Sequence, residues 1–156
     1  MIGLAASGSL DILFRLGAAA LAGSLIGFNR ELRGKPAGLR THALVSLGSA
    51  LLVVILRGEP GFGADAVSRV IQGVITGIGF LGAGVILHRP AGRITGLTSA
   101  AMIWIAAAFG VAAGLGRWFE MVAGLALVVA VLLLEILERK LAPHVIRDAS
   151  DSDGEA

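Results

Sequence analysis

Three side chains of the chain, Glu31, His42 and His88, are of the types that bind divalent metal ions. Carboxylate oxygens and imidazole nitrogens are common protein ligands for such ions. The three residues are far apart along the chain, so only neighbouring helix ends could bring them together. They are therefore candidate ligands, while the absence of cysteine excludes a thiolate site. No cofactor is predicted.

A broader group of polar residues falls at the ends of apolar segments, on what we predict to be one face of a membrane. The need to orient a membrane protein explains arginine at such positions, but it does not explain hydroxyl or imidazole groups. Thr98 and Ser99 could cap the helix that they open, or use its positive end to hold an anion or a carboxylate. The group consists of Arg30, Glu31, Arg40, Thr41, His42, Thr98 and Ser99.

His42, Ser46 and Ser49 form a polar stripe, because they fall within about 60° of one another on a helical wheel. One interpretation is hydrogen bonding between helices, which we favour because hydroxyl groups commonly join membrane helices. The other is a water-lined vestibule. Asp11 and Arg15 are four residues apart and are predicted to neutralise each other on one helix face.

The apolar cores of the second, third and fourth segments contain no charged residue. Magnesium releases its waters reluctantly and is usually held through carboxylates, so a dehydrating magnesium pore has little support. No nucleophile and base stand at a spacing that would indicate an enzyme.

The composition places these residues in a membrane protein. The 156 residues are 56% hydrophobic and 15% charged, with a mean hydropathy of +0.86, which is too apolar for an ordinary soluble domain. The fold class is all-α, a polytopic bundle of five transmembrane helices, and all four prolines lie outside the predicted spans. The spans are about 10–28, 39–56, 70–87, 97–115 and 118–137.

The distribution of lysine and arginine predicts the orientation of these spans. Nine of the cations lie in the first and third connections and the tail, against three on the opposite side. Positive charge favours the cytoplasm, so the amino terminus is predicted outside and the carboxyl terminus inside. Residues 10–137 form the predicted membrane domain, and residues 138–156 form a short cytoplasmic tail that is disordered at its end.

Residues 70–87 are predicted to be the central helix, because this uncharged run is rich in glycine. Glycine lets membrane helices approach closely, and here it occurs on two opposite helix faces. A G-x-G-x-x-G pattern at 77–82 does not indicate a nucleotide site, since no strand precedes it. The glycines predicted to mediate helix packing, with those of the first and fourth spans, are Gly23, Gly27, Gly73, Gly77, Gly79, Gly82, Gly84, Gly110 and Gly114.

Four ordered blocks of this sequence resemble the MgtC/SapB family of bacterial inner-membrane proteins. They are Gly27–Glu31, Lys35–His42, Gly77–Gly84 and Gly96–Ala101, within a similarity that covers about residues 10–137. The resemblance implies a multi-pass protein of five helices linked to growth at low magnesium and, in virulence-associated members, to survival inside host cells. For the virulence-associated members it also implies binding and restraint of the F-type ATP synthase, with a small membrane peptide as a regulator.

Two departures from the family pattern bear on these expectations. Asn29 stands where the family commonly has the first acidic residue of its opening block, which weakens a two-carboxylate site with Glu31. Longer members add a soluble carboxyl-terminal domain of the ACT-like type, whereas this chain is expected to be a short form with only a tail.

Two functions are consistent with these observations. The first is a non-enzymatic membrane regulator that acts through helix contacts with a protein partner in the bilayer. The alternative is a transporter or channel for Mg²⁺ or another small solute, which the polar stripe would line. Either allows a homo-oligomer, and the lack of a basic stripe with interleaved aromatic residues argues against nucleic acid as a partner.

Overall fold

The predicted five-helix architecture is confirmed by the computed structural model. The model describes residues 2–57, 59–60, 63–88 and 94–141, with side chains described within 8–57, 59–60, 63–86 and 95–134. The helices in these ranges are α1 (Ile2–Leu32), α2 (Leu39–Arg57), α3 (Ala64–Val85), α4 (Leu97–Leu115) and α5 (Trp118–Leu141). The tail beyond Leu141 lies outside the described residues.

Four of the described helices are long and apolar enough to cross a membrane. Their apolar parts are Gly8–Leu32, Leu39–Arg57, Ala64–Val85 and Leu97–Leu115, and a shorter apolar stretch, Trp118–Leu134, lies in α5. At about 1.5 Å per residue, the 19 residues of α2 span roughly 28 Å, close to the thickness of a bilayer core.

A short hairpin between α3 and α4 was not predicted. Strand β1 (Leu87–His88) pairs antiparallel with β2 (Ile94–Thr95). Residues 89–93, which carry two of the predicted cytoplasmic arginines, lie outside the described residues. Gly96 follows β2 with φ +97°, and a Cβ there would collide with the Val85 carbonyl oxygen, so this position needs glycine.

The connection between α1 and α2 is stabilised by hydrogen bonds between residues that are close together in the sequence. Gly34 adopts φ +58°, and its N–H donates to the Glu31 carbonyl at 3.0 Å while the Lys35 N–H donates to the Arg30 carbonyl at 3.1 Å. These two bonds form a Schellman motif, which ends α1 and turns the chain back towards α2.

The core lies where α1, α2 and α4 pack against one another. Ala19, Ala50 and Ala113, one from each helix, are fully buried together. Small side chains let the three backbones approach closely, so dispersion contacts replace the hydrophobic driving force that lipid does not supply.

The prediction that 70–87 is the central helix is wrong. Helix α3 packs on α4 and touches α2 little, and only 17% of its apolar window is buried, against 56% for α4. Alanine and glycine nearly all around α4 let neighbours approach from several sides. The glycines of α3 would allow another helix to approach closely, but glycine in a sequence does not show whether a neighbouring helix is present.

The contacts divide the chain into two compact units, Met1–Met121 and Val122–Ala156. The first contains α1 to α4, the hairpin and the start of α5. The described part of the second is the remainder of α5, a single apolar helix. All sites described below belong to the first unit.

Candidate functional site

Helices α1 and α4 are joined by a buried polar contact at one end of the core. The Arg30 guanidinium, 3% exposed, donates from Nη2 to the Ser99 hydroxyl at 2.5 Å. Ser99 is fully buried. A charged donor in a low-dielectric interior makes a stronger hydrogen bond than a neutral donor does. This contact therefore fixes the position of α1 along the axis of α4.

His42 on α2 is buried at the same end of the core. Its Nδ1 lies 2.9 Å from the Gly38 carbonyl oxygen, and because a carbonyl only accepts, Nδ1 carries the proton and Nε2 the lone pair. Nε2 has no partner among the described residues, and neither do the buried Asn29 amide nitrogen and the Ser46 hydroxyl. The core therefore holds polar groups that it only partly satisfies.

Glu31 caps α2 across the turn. Its Oε2 accepts the Leu39 N–H at 2.8 Å, and a Cβ at Gly38 would lie 2.8 Å from the same oxygen. An acceptor with negative charge at the first turn of a helix is favourable for both hydrogen bonding and the helix dipole. Glu31 thus positions the helix that carries His42.

The predicted metal ligands do not form a cluster in the described part of the chain. Glu31 accepts a hydrogen bond from the first residue of α2, and the imidazole of His42 bonds the Gly38 carbonyl just before that helix. The side chain of His88 lies outside the described residues. No group of three histidine, cysteine, aspartate or glutamate side chains among those described could hold a metal ion.

The other predicted polar residues stay outside the buried cluster. Arg40 and Thr98 are exposed, and Thr41 is half-buried. Helix α4 begins after Gly96 without a side-chain cap, so the predicted capping by Thr98 or Ser99 is not observed. Ser99 instead accepts from Arg30.

The polar stripe on α2 is sealed inside the bundle. His42 and Ser46 are fully buried and Ser49 is 4% exposed, so the described structure does not show the water-lined vestibule of the alternative interpretation. The Ser49 hydroxyl donates to the Val45 carbonyl at 2.9 Å, within its own helix. Small and back-bonded side chains let α2 lie close to its neighbours, which differs from the hydrogen bonding between helices that the pattern favoured.

Four predicted packing glycines lie at close approaches, and their common partner is α2. A Cβ at Gly23 would collide with the His42 carbonyl oxygen, and one at Gly27 would lie 2.6 Å from the Leu39 Cα. On α4, a Cβ at Gly110 would strike the Ser46 carbonyl oxygen, and one at Gly114 would lie 2.8 Å from the Val53 Cβ.

The glycines of α3 contrast with those of α1 and α4. A Cβ at Gly82 would touch only the Ala100 Cβ, at 3.6 Å. At Gly73, Gly77, Gly79 and Gly84 a Cβ would meet nothing within 4 Å. The prediction that these four pack within the chain is therefore wrong for the described residues of the unit Met1–Met121, which place no neighbour against them.

An open groove separates α2 from α3. Its volume is about 410 Å³. Glycine lines it from both sides, with Gly48 on α2 and Gly73 and Gly77 on α3, and Leu44 and Leu52 are the large side chains on the α2 wall. The lining of the groove is glycine and apolar side chains apart from Ser49, which suits another helix better than a polar solute.

A second polar cluster, at the opposite end of the core, was predicted only in part. The Asp11 to Arg15 ion pair is confirmed at 2.7 Å. Arg15 is buried, so it also contacts groups outside its own helix. Its Nη1 donates to the carbonyls of Ala113 and Gly114 at 3.4 and 3.3 Å.

Arg57 joins the same cluster from α2. Its Nη1 donates to the Gly114 carbonyl at 3.3 Å. Arginines from two helices thus donate hydrogen bonds to the last carbonyls of α4, at the negative end of its helix dipole. The Arg15 guanidinium also lies 5.4 Å from the centre of the Trp118 ring, within range of a cation–π contact. Apart from the four-residue spacing of Asp11 and Arg15, the sequence signals this cluster only by glycine at 114 and 116, where α4 ends.

Comparison with known proteins places these features in a family. Residues 16–140 match the model of the MgtC family. The chain is 48% identical over 120 residues to protein SrpB of Synechococcus elongatus, across 70% of this chain and 66% of that protein. It is 37% identical over 145 residues to protein SapB of Bacillus subtilis, across 88% of this chain and 62% of that protein.

Protein MgtC of Salmonella typhimurium is similar over most of this chain. The two are 37% identical over 143 residues, across 92% of this chain and 59% of that protein. The chain thus spans roughly three fifths to two thirds of the length of these relatives. No solved structure matches.

Proposed function

The chain belongs to the MgtC family, and from this we propose that it is a non-enzymatic protein of the bacterial inner membrane that serves adaptation to low magnesium. It acts by binding and modulating a membrane partner. Its four membrane-length helices and its family make it a membrane protein. The bacterial inner membrane as its location, the role at low magnesium and the binding of a partner are what we propose beyond this.

The observation that carries the proposal is the open groove between α2 and α3. Gly48, Gly73 and Gly77 line the groove without side chains, and a Cβ built at any of them would meet nothing within 4 Å. In lipid, such faces gain most when another helix packs against them, because close backbone contact replaces loosely ordered acyl chains. A partner helix is the occupant that this chemistry favours.

The family resemblance suggests which partners to test first. The F-type ATP synthase is one, and a small regulatory membrane peptide is the other. Both present hydrophobic helices within the bilayer, and both would fit an apolar groove that offers shape but no charge. In a pathogenic bacterium, such modulation would also serve survival inside host cells, which is part of the same proposal.

The transporter alternative has less support. The polar stripe that would have lined a pathway is buried, and Ser49 is the one polar side chain among the described residues that line the groove. A pathway for Mg²⁺ needs oxygen ligands at the depth where the ion loses its waters.

Co-purification from native membranes tests the proposal. The tagged chain is extracted in mild detergent from cells grown at low magnesium, beside variants Gly77→Leu and Gly17→Leu. Gly17 is a matched control, since it is also exposed on a membrane helix with nothing within 4 Å, but it is not a groove residue. We expect a membrane protein or peptide to be enriched with the wild type and with Gly17→Leu, and lost with Gly77→Leu.

Two results would contradict the proposal. One is recovery of the wild-type chain with no enriched partner. The other is Mg²⁺ flux through reconstituted vesicles that His42→Ala abolishes, which would favour transport instead.

A further inference from the structure

Two polar atoms on the buried face of α2 have no hydrogen-bond partner among the described residues. They are Nε2 of His42 and the hydroxyl oxygen of Ser46, and both residues are fully buried. Such atoms cost free energy inside a membrane protein, because neither apolar side chains nor acyl chains can donate or accept a hydrogen bond. A polar ligand that bonds both atoms would remove that cost.

The Ser46 hydroxyl differs from other hydroxyls of the bundle. A serine or threonine within a helix can donate to the carbonyl four residues earlier. Ser24, Ser49 and Thr76 do so, at 2.7, 2.9 and 2.8 Å. For Ser46 that carbonyl belongs to His42, and the bond is not made. The hydroxyl therefore keeps both its proton and its lone pairs for a ligand.

His42 and Ser46 are neighbours on one face of α2. Residues four positions apart lie about 40° apart around a helix, with Cβ atoms about 5–6 Å apart. The two side chains do not bond each other directly. Two hydrogen bonds that meet at one oxygen atom cover about 5.6 Å, so a molecule the size of water matches their separation.

The chemistry around these atoms favours a neutral ligand that both donates and accepts. His42 Nε2 only accepts, since the imidazole proton is on Nδ1 towards the Gly38 carbonyl. The buried Arg30 guanidinium only donates, and its positive charge is close enough to act on the imidazole. That charge would repel a cation, and the Nε2 lone pair would repel an anion. Water meets both requirements.

We propose that His42 and Ser46 form an internal water site, which holds one or two water molecules inside the bundle. A water O–H donates to His42 Nε2, and the water oxygen accepts from the Ser46 hydroxyl or from an N–H of Arg30. Buried waters typically make about three hydrogen bonds to groups that would otherwise be unsatisfied. With its oxygen towards the guanidinium, the water also stabilises the buried positive charge of Arg30.

The water site is independent of the proposed function. Neither His42 nor Ser46 lines the groove between α2 and α3. Failure to find a membrane partner would therefore leave the water site untouched, and a dry core would leave the groove untouched.

Water-edited solid-state NMR of the isotope-labelled chain in lipid bilayers tests the proposal. The rate of magnetisation transfer from water is measured for each assigned side chain. Ser49 is a matched control, because its buried hydroxyl bonds its own helix, and Ala50 is a fully buried apolar control. We expect transfer to His42 and Ser46 to be several-fold faster than transfer to Ser49 and Ala50. Equal rates at all four positions would overturn the proposal.

The stability of Ser46→Ala gives a second measurement, by unfolding in mixed micelles with increasing SDS. If water bonds the hydroxyl, its removal should raise the unfolding equilibrium constant by about fivefold. Ser49→Ala, which removes a bond within one helix, should change it less. A Ser46→Ala chain as stable as the wild type, or more stable, would show that the hydroxyl was unsatisfied and would overturn the proposal. The NMR measurement uses the wild-type chain, so it does not depend on whether either variant folds.

Discussion

Arg30 carries a charge into the interior of a membrane bundle, and the surrounding residues determine whether that burial is tolerated. The Ser99 hydroxyl accepts one of its hydrogen bonds, while His42 and Ser46 lie buried nearby on α2 with polar atoms that have no described partner. Such groups cost free energy unless each is satisfied. At this scale the polar residues specify how α1, α2 and α4 fit together.

Removing the Ser99 hydroxyl should destabilise the bundle. Ser99→Ala leaves a buried guanidinium with one acceptor fewer, which should cost about 1–3 kcal/mol of unfolding free energy. Unfolding in mixed micelles with increasing SDS measures it. Thr98→Ala is the matched control, since Thr98 is adjacent and exposed, and it should cost less than about 0.5 kcal/mol. Equal losses in both variants would contradict the role of Ser99.

Glu31 should behave as a helix cap and not as a metal ligand. Glu31→Ala removes the acceptor of the Leu39 N–H and should lower stability by about 0.5–2 kcal/mol. Glu31→Gln keeps an oxygen there and should lose less. The same SDS titration, repeated with and without Mg²⁺, checks both points. A Mg²⁺-dependent stability that disappears in Glu31→Gln would show instead that the carboxylate binds the ion.

Local spacing predicted some of these contacts and could not predict others. The pair of Asp11 and Arg15 follows from their separation of four residues on one helix. The bond from Arg15 to the Gly114 carbonyl joins residues 99 positions apart, and no pattern in the sequence connects them. Likewise the capping by Glu31 depends on a turn in which Gly34 and Ala37 both have positive φ.

Helix α2 organises the other elements, because α1 and α4 both press glycine faces against it. Gly23 and Gly27 bring α1 to within backbone contact of α2, and Gly110 and Gly114 do the same for α4. The hydrophobic runs were enough to predict the helices, since a span must be apolar along its whole length. The packing order was not predictable, because glycine marks a close approach without naming the partner.

Adding one methyl group at Gly110 should disrupt the contact between α4 and α2. The new Cβ would strike the Ser46 carbonyl and lie 2.8 Å from the Ser49 Cβ, so backbone must shift, at a cost of about 1–3 kcal/mol. Gly17→Ala has open space and should be neutral or stabilising by up to about 1 kcal/mol. SDS unfolding and the amount of protein in the membrane report the difference. A tolerated Gly110→Ala would contradict the close packing.

At the largest scale, the unit Met1–Met121 contains three tightly packed helices, α1, α2 and α4, and a fourth, α3, that packs mainly on α4. Within this unit, α1, α2 and α4 bury polar residues between them, while α3 leaves a groove open beside α2. Apolar composition alone predicted a membrane bundle. It could not distinguish helices buried by the chain from a helix left for other molecules, since both are equally apolar.

The orientation of the molecule stays a prediction and has a direct test. The excess of lysine and arginine predicts that the connection holding Lys35 and Arg40 faces the cytoplasm. Single variants Lys35→Cys and Glu59→Cys, in a chain without cysteine, can be labelled from outside the cell with a membrane-impermeant maleimide. We expect label only on Glu59→Cys. Label only on Lys35→Cys would reverse the orientation.

Site-specific photocrosslinking in living cells tests most directly whether the groove binds a membrane partner. A benzophenone amino acid replaces Leu52, which lines the groove and is 52% exposed, or Leu25 on α1, which is 60% exposed and outside it. If the groove binds a partner helix, irradiation gives a discrete protein adduct at Leu52 and none at Leu25. No protein adduct at either position, or the same adducts at both, would contradict the central claim.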